Sequence, residues 1–387
     1  MDSSLVSSST VPQRTRRTRF VCISDTHNCT VKLPKGDVLI HCGDLTNQGS
    51  FSELKKQVTW LEGAAGFECK LVIAGNHDLT LDTDFFEQYG NYFHNNTPQN
   101  PIDCQNLLTQ SNSLIFLQHS SHTIKLTAPS GPRTTFNVFG SPYTPSCGMW
   151  AFQYSRSDPA AAEKLWKDIP LDTDILVTHG PARTHRDESR HRGAVGCESL
   201  RQAMWRVRPR LAICGHVHEA RGVERICWDL SNRFVQYKEL VSTYQWEDPG
   251  IGNGKNCLVD LTAKSGMPLD NDGSKVSSSS PSPSPLVTTP SSLHMAEGFS
   301  MKGTVAMGTS METESEGANP GIGTRGLSGN PASARNDGPV LTGRFGRKET
   351  CVVNCAIQAS SYPHSGPRRF HKPIVIDIDL PVWDDDS

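Results

Sequence analysis

Eight residues in five short stretches are of the types that bind metals or move protons. They are Asp25 and His27 in RFVCISDTHN, Asp44 in DVLIHCGDLT, Asn76 and His77 in KLVIAGNHDL, His179 in DILVTHGPAR, and His216 and His218 in LAICGHVHE. Together they supply two carboxylates, one amide and five imidazoles, with no thiolate among them. Carboxylate and carbonyl oxygens suit Mn, and imidazole suits Zn and Fe, so the set fits hard or borderline divalent cations. It also exceeds what one ion needs once positions for water and substrate are kept open, which implies two. His216 and His218 lie two residues apart, and on an extended segment such positions share a face, so both imidazoles can converge. An isolated His-x-His is more often a pair of exposed loop histidines, so the case rests on the five stretches together.

Each stretch is a short apolar run that ends in polar, catalytically capable residues, the pattern of buried strands delivering side chains from their carboxyl ends. Helix-like segments lie between them. SFSELKKQVTWLEGA puts Leu54, Val58 and Leu61 on one stripe, and GCESLRQAMWRVRP does so with Leu200, Met204 and Val207 before Pro209 stops it. From Ser113 to Gly140, HTIKLTA and TFNVFG read as strands joined by turns. The pattern is that of an α/β sandwich.

Composition bounds the rest. A net charge of −2 over 387 residues gives no electrostatic case for nucleic acid or an acidic membrane as main partner. No apolar run approaches the roughly 18 to 20 residues of a membrane-spanning helix. Residues 1–17, polar and basic, lack the apolar centre of a secretory signal and read as a disordered arm. Several of the 12 cysteines sit in apolar runs, where cysteine behaves as a small buried hydrophobe, and reduced thiols in the cytoplasm are expected. Cys351 and Cys355 have no second pair to make a zinc site. After about Lys264 the chain turns rich in Ser, Pro and Gly, with too little apolar surface to offset chain entropy. The expected organisation is a domain over 18–262, a disordered insert over 263–349, and strands over 350–384 that complete the domain.

In this order and context the blocks D-x-H, G-D, G-N-H-D, H-G and G-H-x-H resemble the calcineurin-like metallophosphoesterases. HCGDLTNQG, IAGNHDLTLD, GSPYTP, THGPAR and GHVHEARG are similar to the subgroup of metallophosphoesterase-domain-containing proteins, relatives of class III cyclic-nucleotide phosphodiesterases. The resemblance covers the predicted domain but neither arm nor insert. It implies a four-layer α/β/β/α sandwich with a site for two divalent metal ions, Mn, Fe or Zn. It implies further that Asp25, His27 and His218 hold the first ion, that Asn76, His179 and His216 hold the second, and that Asp44 bridges them. A metal-bridging hydroxide would attack phosphorus while His77 protonates the leaving oxygen as general acid.

One departure bears on the substrate. The protein phosphatases of this superfamily carry Asp-Arg in a G-D-x-x-D-R-G pattern, whereas this chain has GDLTNQG, with Asn47 and Gln48 in that place. Losing the arginine favours phosphodiesters, cyclic nucleotides among them, over monoesters. It also leaves unidentified the group that orients His77. Adjacent Asp78 is not shown by adjacency to face the ring. Past His179, Arg183, His185, Arg186, His191 and Arg192 form either a substrate loop or a solvated connection, with His185 and Arg183 the expected substrate contacts. Trp150 and Phe152 in GMWAF are read more readily as packing than as a stacking platform for a base, and GIGNGKN at 250–256 as a turn. The expected partner is thus a small phosphoester, nucleotides included. Two alternatives stay open: a phosphomonoesterase, including one acting on phosphoprotein, and a slow-turnover nucleotide-binding scaffold recruiting partners through its insert.

Overall fold

The apolar runs form strands because both of their faces are covered, so that alternate residues of a continuous run enter different cores. A computed structural model describes residues 14–94, 97–190, 192–228, 239–240, 244–271, 347–359 and 369–383. The strands are β1 (Thr15–Ile23), β2 (Val38–Cys42), β3 (Cys69–Ile73), β4 (Ile115–Phe116), β5 (Ser120–Lys125), β6 (Thr135–Ser141), β7 (Thr144–Pro145), β8 (Gln153–Tyr154) and β9 (Ile175–Thr178). They continue as β10 (Glu188–Ser189), β11 (Gly193–Ala194), β12 (Leu211–Cys214), β13 (Gly222–Cys227), β14 (Tyr244–Gln245), β15 (Cys257–Leu261), β16 (Glu349–Asn354) and β17 (Ile374–Pro381). The α-helices are α1 (Phe51–Glu62), α2 (Thr83–Tyr89), α3 (Pro101–Thr109), α4 (Pro159–Lys167) and α5 (Glu198–Val207).

Two large sheets result, a six-stranded one in the order β15-β17-β1-β2-β3-β4 and a seven-stranded one in the order β14-β13-β16-β12-β9-β6-β5. Phe20 and Cys22 of β1, Ile40 of β2 and Ile376 of β17 share a core with Val138, Ile175, Ile213 and Val353 of the other sheet. Their neighbours Val21, Leu39 and Val375 face the opposite way, onto Leu54, Val58 and Leu61 of α1 and Cys104 and Leu108 of α3. Leu176, Ala212 and Val352 likewise cover Trp166 of α4 and Leu200, Met204 and Val207 of α5. Three cores separated by two sheets make the expected α/β/β/α sandwich.

Local rules account for the helices that were expected and for those that were not. Ser50 and Glu53 close a reciprocal capping box at the start of α1. Arg208, in the left-handed region at φ 50, ends α5 just before Pro209. Helix α4 was missed although Asp158 caps it and Pro159 opens it.

The segments flanking the composition shift are more ordered than their polarity suggested. β1 already begins at Thr15, paired with Pro381, because backbone pairing tolerates its arginines and Arg19 makes a two-pronged bond to Asp377 at 2.7 Å. At the other end Arg347 is buried and bonds the carbonyl of Thr173, while Asn271 binds the backbone amides of Lys348 and Glu349. Most of the expected insert, 272–346, and residues 1–13 lie outside the described residues. All twelve cysteines are unpaired, and Cys351 and Cys355 pack in the core between the sheets.

Candidate metal centre

The site forms where parallel strands stop. β1, β2 and β3 run parallel, as do β6, β9, β12 and β16, so the loops after β1, β2, β3, β9 and β12 emerge at carboxyl ends. The loops after β1 and β2 continue side by side through backbone bonds from Asp25 to Gly43, His27 to Asp44 and Asn28 to Leu45. To turn their side chains inward, Asp25, His27, Asp44 and His216 adopt left-handed backbone at φ 58, 43, 54 and 66, a conformation costly for non-glycine residues and kept where a site needs it.

All eight residues arrive at one place. The donor atoms of Asp25, His27 and His218 lie within 4.8 Å of one another, as do those of Asp44, His179 and His216, and Asp44 groups equally with His27 and His77. Asp44 therefore belongs to both halves of the cluster. Its Oδ1 lies 3.5 Å from His179 Nε2 and its Oδ2 3.7 Å from His27 Nε2, too long for hydrogen bonds but near the span of two donors on one ion at about 2.1 Å. His179 donates through Nδ1 to the Cys42 carbonyl at 2.9 Å, and His27 through Nδ1 to the Thr46 carbonyl at 3.1 Å, which turns each ring's Nε2 inward. His179 Nε2 also lies 2.8 Å from Asn76 Oδ1, so the two atoms are close enough to serve as donors to a shared cation.

Most of the protonation states suit ligation. His218 is the exception: burial works against its charge, but the hydrogen bond and charge of Asp25 outweigh that and raise its imidazole, a charge that a bound cation would displace. Burial drives His27 down to about 4 and His216 down to about 3, leaving both neutral and able to bind. Burial works against ionising Asp25, but the hydrogen bond and charge of His218 hold its carboxyl far below the usual range. Asp44 is likewise lowered against its burial, by His179, His77 and His27. The residues present fit divalent metal ions.

Sequence reasoning missed several supporting groups. His77 donates through Nδ1 to the Asn47 carbonyl at 2.9 Å, which anchors one side of its ring. Asp78 does something else: its carboxylate accepts from the amides of Leu45, Thr46 and Gly75 and from Thr46 Oγ1, lashing the β2 and β3 loops together. Burial and the Asp44 charge raise its own carboxyl to about 6. Asn354, at the end of β16, donates through Nδ2 to the carbonyls of Val217 at 2.9 Å and Arg186 at 3.0 Å, bracing the loop that bears His216 and His218. Nothing marked it in the sequence, because its partners lie far away along the chain.

The expected substrate contacts are placed differently. His185 is only 3% exposed, and both its ring nitrogens are engaged, Nδ1 by Glu224 at 2.7 Å and Nε2 by Glu239 at 3.2 Å. Burial opposes its charge, but those two carboxylates raise it to about 9, making it an imidazolium within a buried ionic cluster rather than a group open to substrate. Arg183 is half exposed, with Nε 3.8 Å from Glu198. Arg186 bonds the carbonyls of Ala220 and Arg221, and His191 lies outside the described residues.

A cavity of about 1010 Å³ opens beside the cluster, lined in part by His27, His77 and His218, by Asn47, Gln48 and Glu53, and by Trp150. Trp150 stacks on the His77 ring with centroids 3.9 Å apart and planes at 33°. Phe152, by contrast, is buried in the helix-side core.

The calcineurin-like phosphoesterase family model matches residues 18–220, a stretch containing all eight clustered residues. Over 242 residues the chain is 39% identical to metallophosphoesterase domain-containing protein 1 of Homo sapiens, covering 60% of this chain and 70% of that protein. It is 37% identical over 209 residues to a UPF0046 protein of Caenorhabditis elegans, covering 53% of this chain and 65% of that one. It is 43% identical over 217 residues to the probable rhamnogalacturonate lyase C of Emericella nidulans, where the match takes 56% of this chain but only 18% of that protein. Among the described residues no helix is long and apolar enough to cross a membrane. The chain belongs to the calcineurin-like phosphoesterase family.

Proposed function

We propose that the protein is a two-metal phosphodiesterase acting on small phosphodiesters, cyclic nucleotides among them. Metal-dependent hydrolysis of a phosphoester comes with the family. The preference for a diester rests on the cavity wall. Among its described lining residues there is no arginine or lysine, and the carboxylate there is Glu53. Although burial opposes it, hydrogen bonds from Asn28 and Ser50 lower the Glu53 carboxyl, so it is ionised at neutral pH. A phosphomonoester, whose second ionisation falls near pH 6, brings a further negative charge towards that carboxylate with no side-chain cation to offset it. A diester carries a single charge. Asn47 and Gln48, standing where the Asp-Arg of protein phosphatases would be, both line this wall.

In this reading Asp25, His27 and His218 hold one divalent ion, Asn76, His179 and His216 hold the other, and Asp44 lies between them. Bound ions supply Lewis acidity that makes water nucleophilic near neutral pH and offset charge on the phosphoryl oxygens. His77 gives its Nε2 proton to the departing oxygen, the N–H bond breaking as the O–H bond forms, while Asn47 holds the Nδ1 side of the ring. The unpaired cysteines support a reducing, cytoplasmic setting.

The test compares a chromogenic phosphodiester with the matching monoester, using wild-type and Asp44→Asn protein stripped of metal and reloaded with Mn. Diester cleavage that requires both Mn and Asp44 supports the reading. Cleavage dominated by the monoester, or none by protein holding two ions, sinks it.

A further inference from the structure

Holding an imidazole by one hydrogen bond fixes an atom, not a plane. The bond from His77 Nδ1 to Asn47 leaves the ring free to swing about that contact, and the swing carries Nε2 away from any leaving group. Two rings remove this freedom. His27 meets His77 edge-on, with centroids 4.9 Å apart at 86°, and Trp150 lies against it at 3.9 Å and 33°.

The indole is held independently of the ring it covers. Next to it, the Ala151 amide donates to the carbonyl of Asn76, the residue before His77, at 3.1 Å, which registers the two loops against each other. The Phe152 amide donates to the Asp82 carboxylate at 2.7 Å, and Thr144 bonds back to the Phe152 carbonyl. Gly148, at φ 80, makes the turn into the indole, and a Cβ there would lie 3.3 Å from Trp150 Cδ1 and Nε1. Phe93 stands beside the indole at 6.1 Å. A loop tied down at three points thus presents an aromatic plane to the one imidazole of the cluster read as a general acid.

We infer that Trp150 is a positioning residue for proton delivery by His77, holding the imidazole plane so that Nε2 faces the leaving oxygen. This rests on the reading of His77 as the acid. Trp150 takes no proton itself. Its effect falls on substrates whose leaving group needs a proton, because misplacing a reacting group by about 1 Å costs about 10²-fold. Diesters that expel 4-nitrophenolate, stable as an anion, are spared.

The experiment measures kcat and KM of Mn-loaded wild type, Trp150→Ala, Trp150→Phe, His77→Ala and the Trp150→Ala/His77→Ala double variant. Each is assayed on a methyl and a 4-nitrophenyl diester of the same phosphate, with metal content measured on the same samples. We expect Trp150→Ala to lower kcat on the methyl diester by roughly 10- to 100-fold. On the nitrophenyl diester the loss stays within about threefold, KM and metal content are unchanged, and Trp150→Phe restores most of the rate. The double variant is no slower than His77→Ala alone, since one proton delivery cannot be lost twice. If His77→Ala shows leaving-group dependence and Trp150→Ala does not, or if Trp150→Ala instead raises KM for both esters, the positioning role is overturned and the acid stands. If His77→Ala shows no such dependence, both fall.

Discussion

The backbone amide of His77 donates to Oδ1 of Asp44 at 2.8 Å, so the residue whose ring faces the cavity also aims the carboxylate at the centre of the cluster. Asp44 is thereby fixed from the β3 loop although it belongs to the β2 loop. Its replacement by Asn keeps the shape and removes the charge. On the proposed two-ion reading, metal content measured by mass spectrometry is expected to be lower in Asp44→Asn than in wild type, with turnover reduced by roughly 10²-fold or more. Two tightly held ions in the variant would show that the carboxylate does not serve both halves.

Asn354 makes a different demand. Its side chain donates to the Val217 carbonyl between the two histidines of the β12 loop, a carbonyl that also accepts from the Ala220 amide, and Asn354→Ala removes this tie together with the one to Arg186's carbonyl. Titration with Mn should show affinity weakened by about 10- to 100-fold with only a modest change in thermal midpoint. Unchanged affinity would reduce Asn354 to a packing residue.

Gly75 is needed for close approach. A Cβ there would collide with the Asp44 amide and carboxylate and would sit 2.8 Å from His179 Cε1. Gly75→Ala should cost about 1–3 kcal/mol of stability and most of the metal binding, read by chemical denaturation and metal analysis. Full metal loading in a stable variant would mean that the loops can part without harm.

The buried His185 makes a pH prediction of definite sign. Held by Glu224 and Glu239, and with Glu239 also gripped by Arg201 at 2.7 Å, its imidazolium is raised from 6.5 to about 9 in the folded protein. The stability it contributes is therefore complete below about pH 6.5 and is lost as pH rises through 9. A shift of this size is worth about 3 kcal/mol. Urea melts of wild type and His185→Gln should differ most near pH 6 and converge above pH 9. A gap that stays constant over this range would remove the ion-pair account.

What the sequence disclosed and what it hid follow one physical line. Strand runs such as those ending at Cys42 and Cys214 were legible because burial on both faces leaves a continuous apolar record, and the side chains just past them stood out by type. Leu54, Val58 and Leu61 marked α1 by their spacing. Nothing local could reveal contacts made across the fold. The Asn47 carbonyl on His77, the Asn354 amide on the β12 loop and Trp150 on the imidazole each involve residues whose types permit many roles. His185 shows the converse error: a histidine beside arginines reads as a ligand contact until two distant carboxylates are seen to enclose it.

The last two strands of the chain occupy interior places, β16 between β13 and β12, and β17 between β15 and β1. During synthesis, residues 18–220 leave the ribosome with every clustered side chain already made, yet each sheet still lacks an interior strand. Until β16 arrives, the loop of His216 and His218 lacks its brace. The nascent chain therefore carries all eight clustered residues before the cluster is braced, and metal capture is expected to wait until β16 and β17 emerge. A chain stopped just before Glu349 keeps the eight residues but loses the Asn354 brace and an interior strand of each sheet, and metal analysis of it is expected to find the site unfilled.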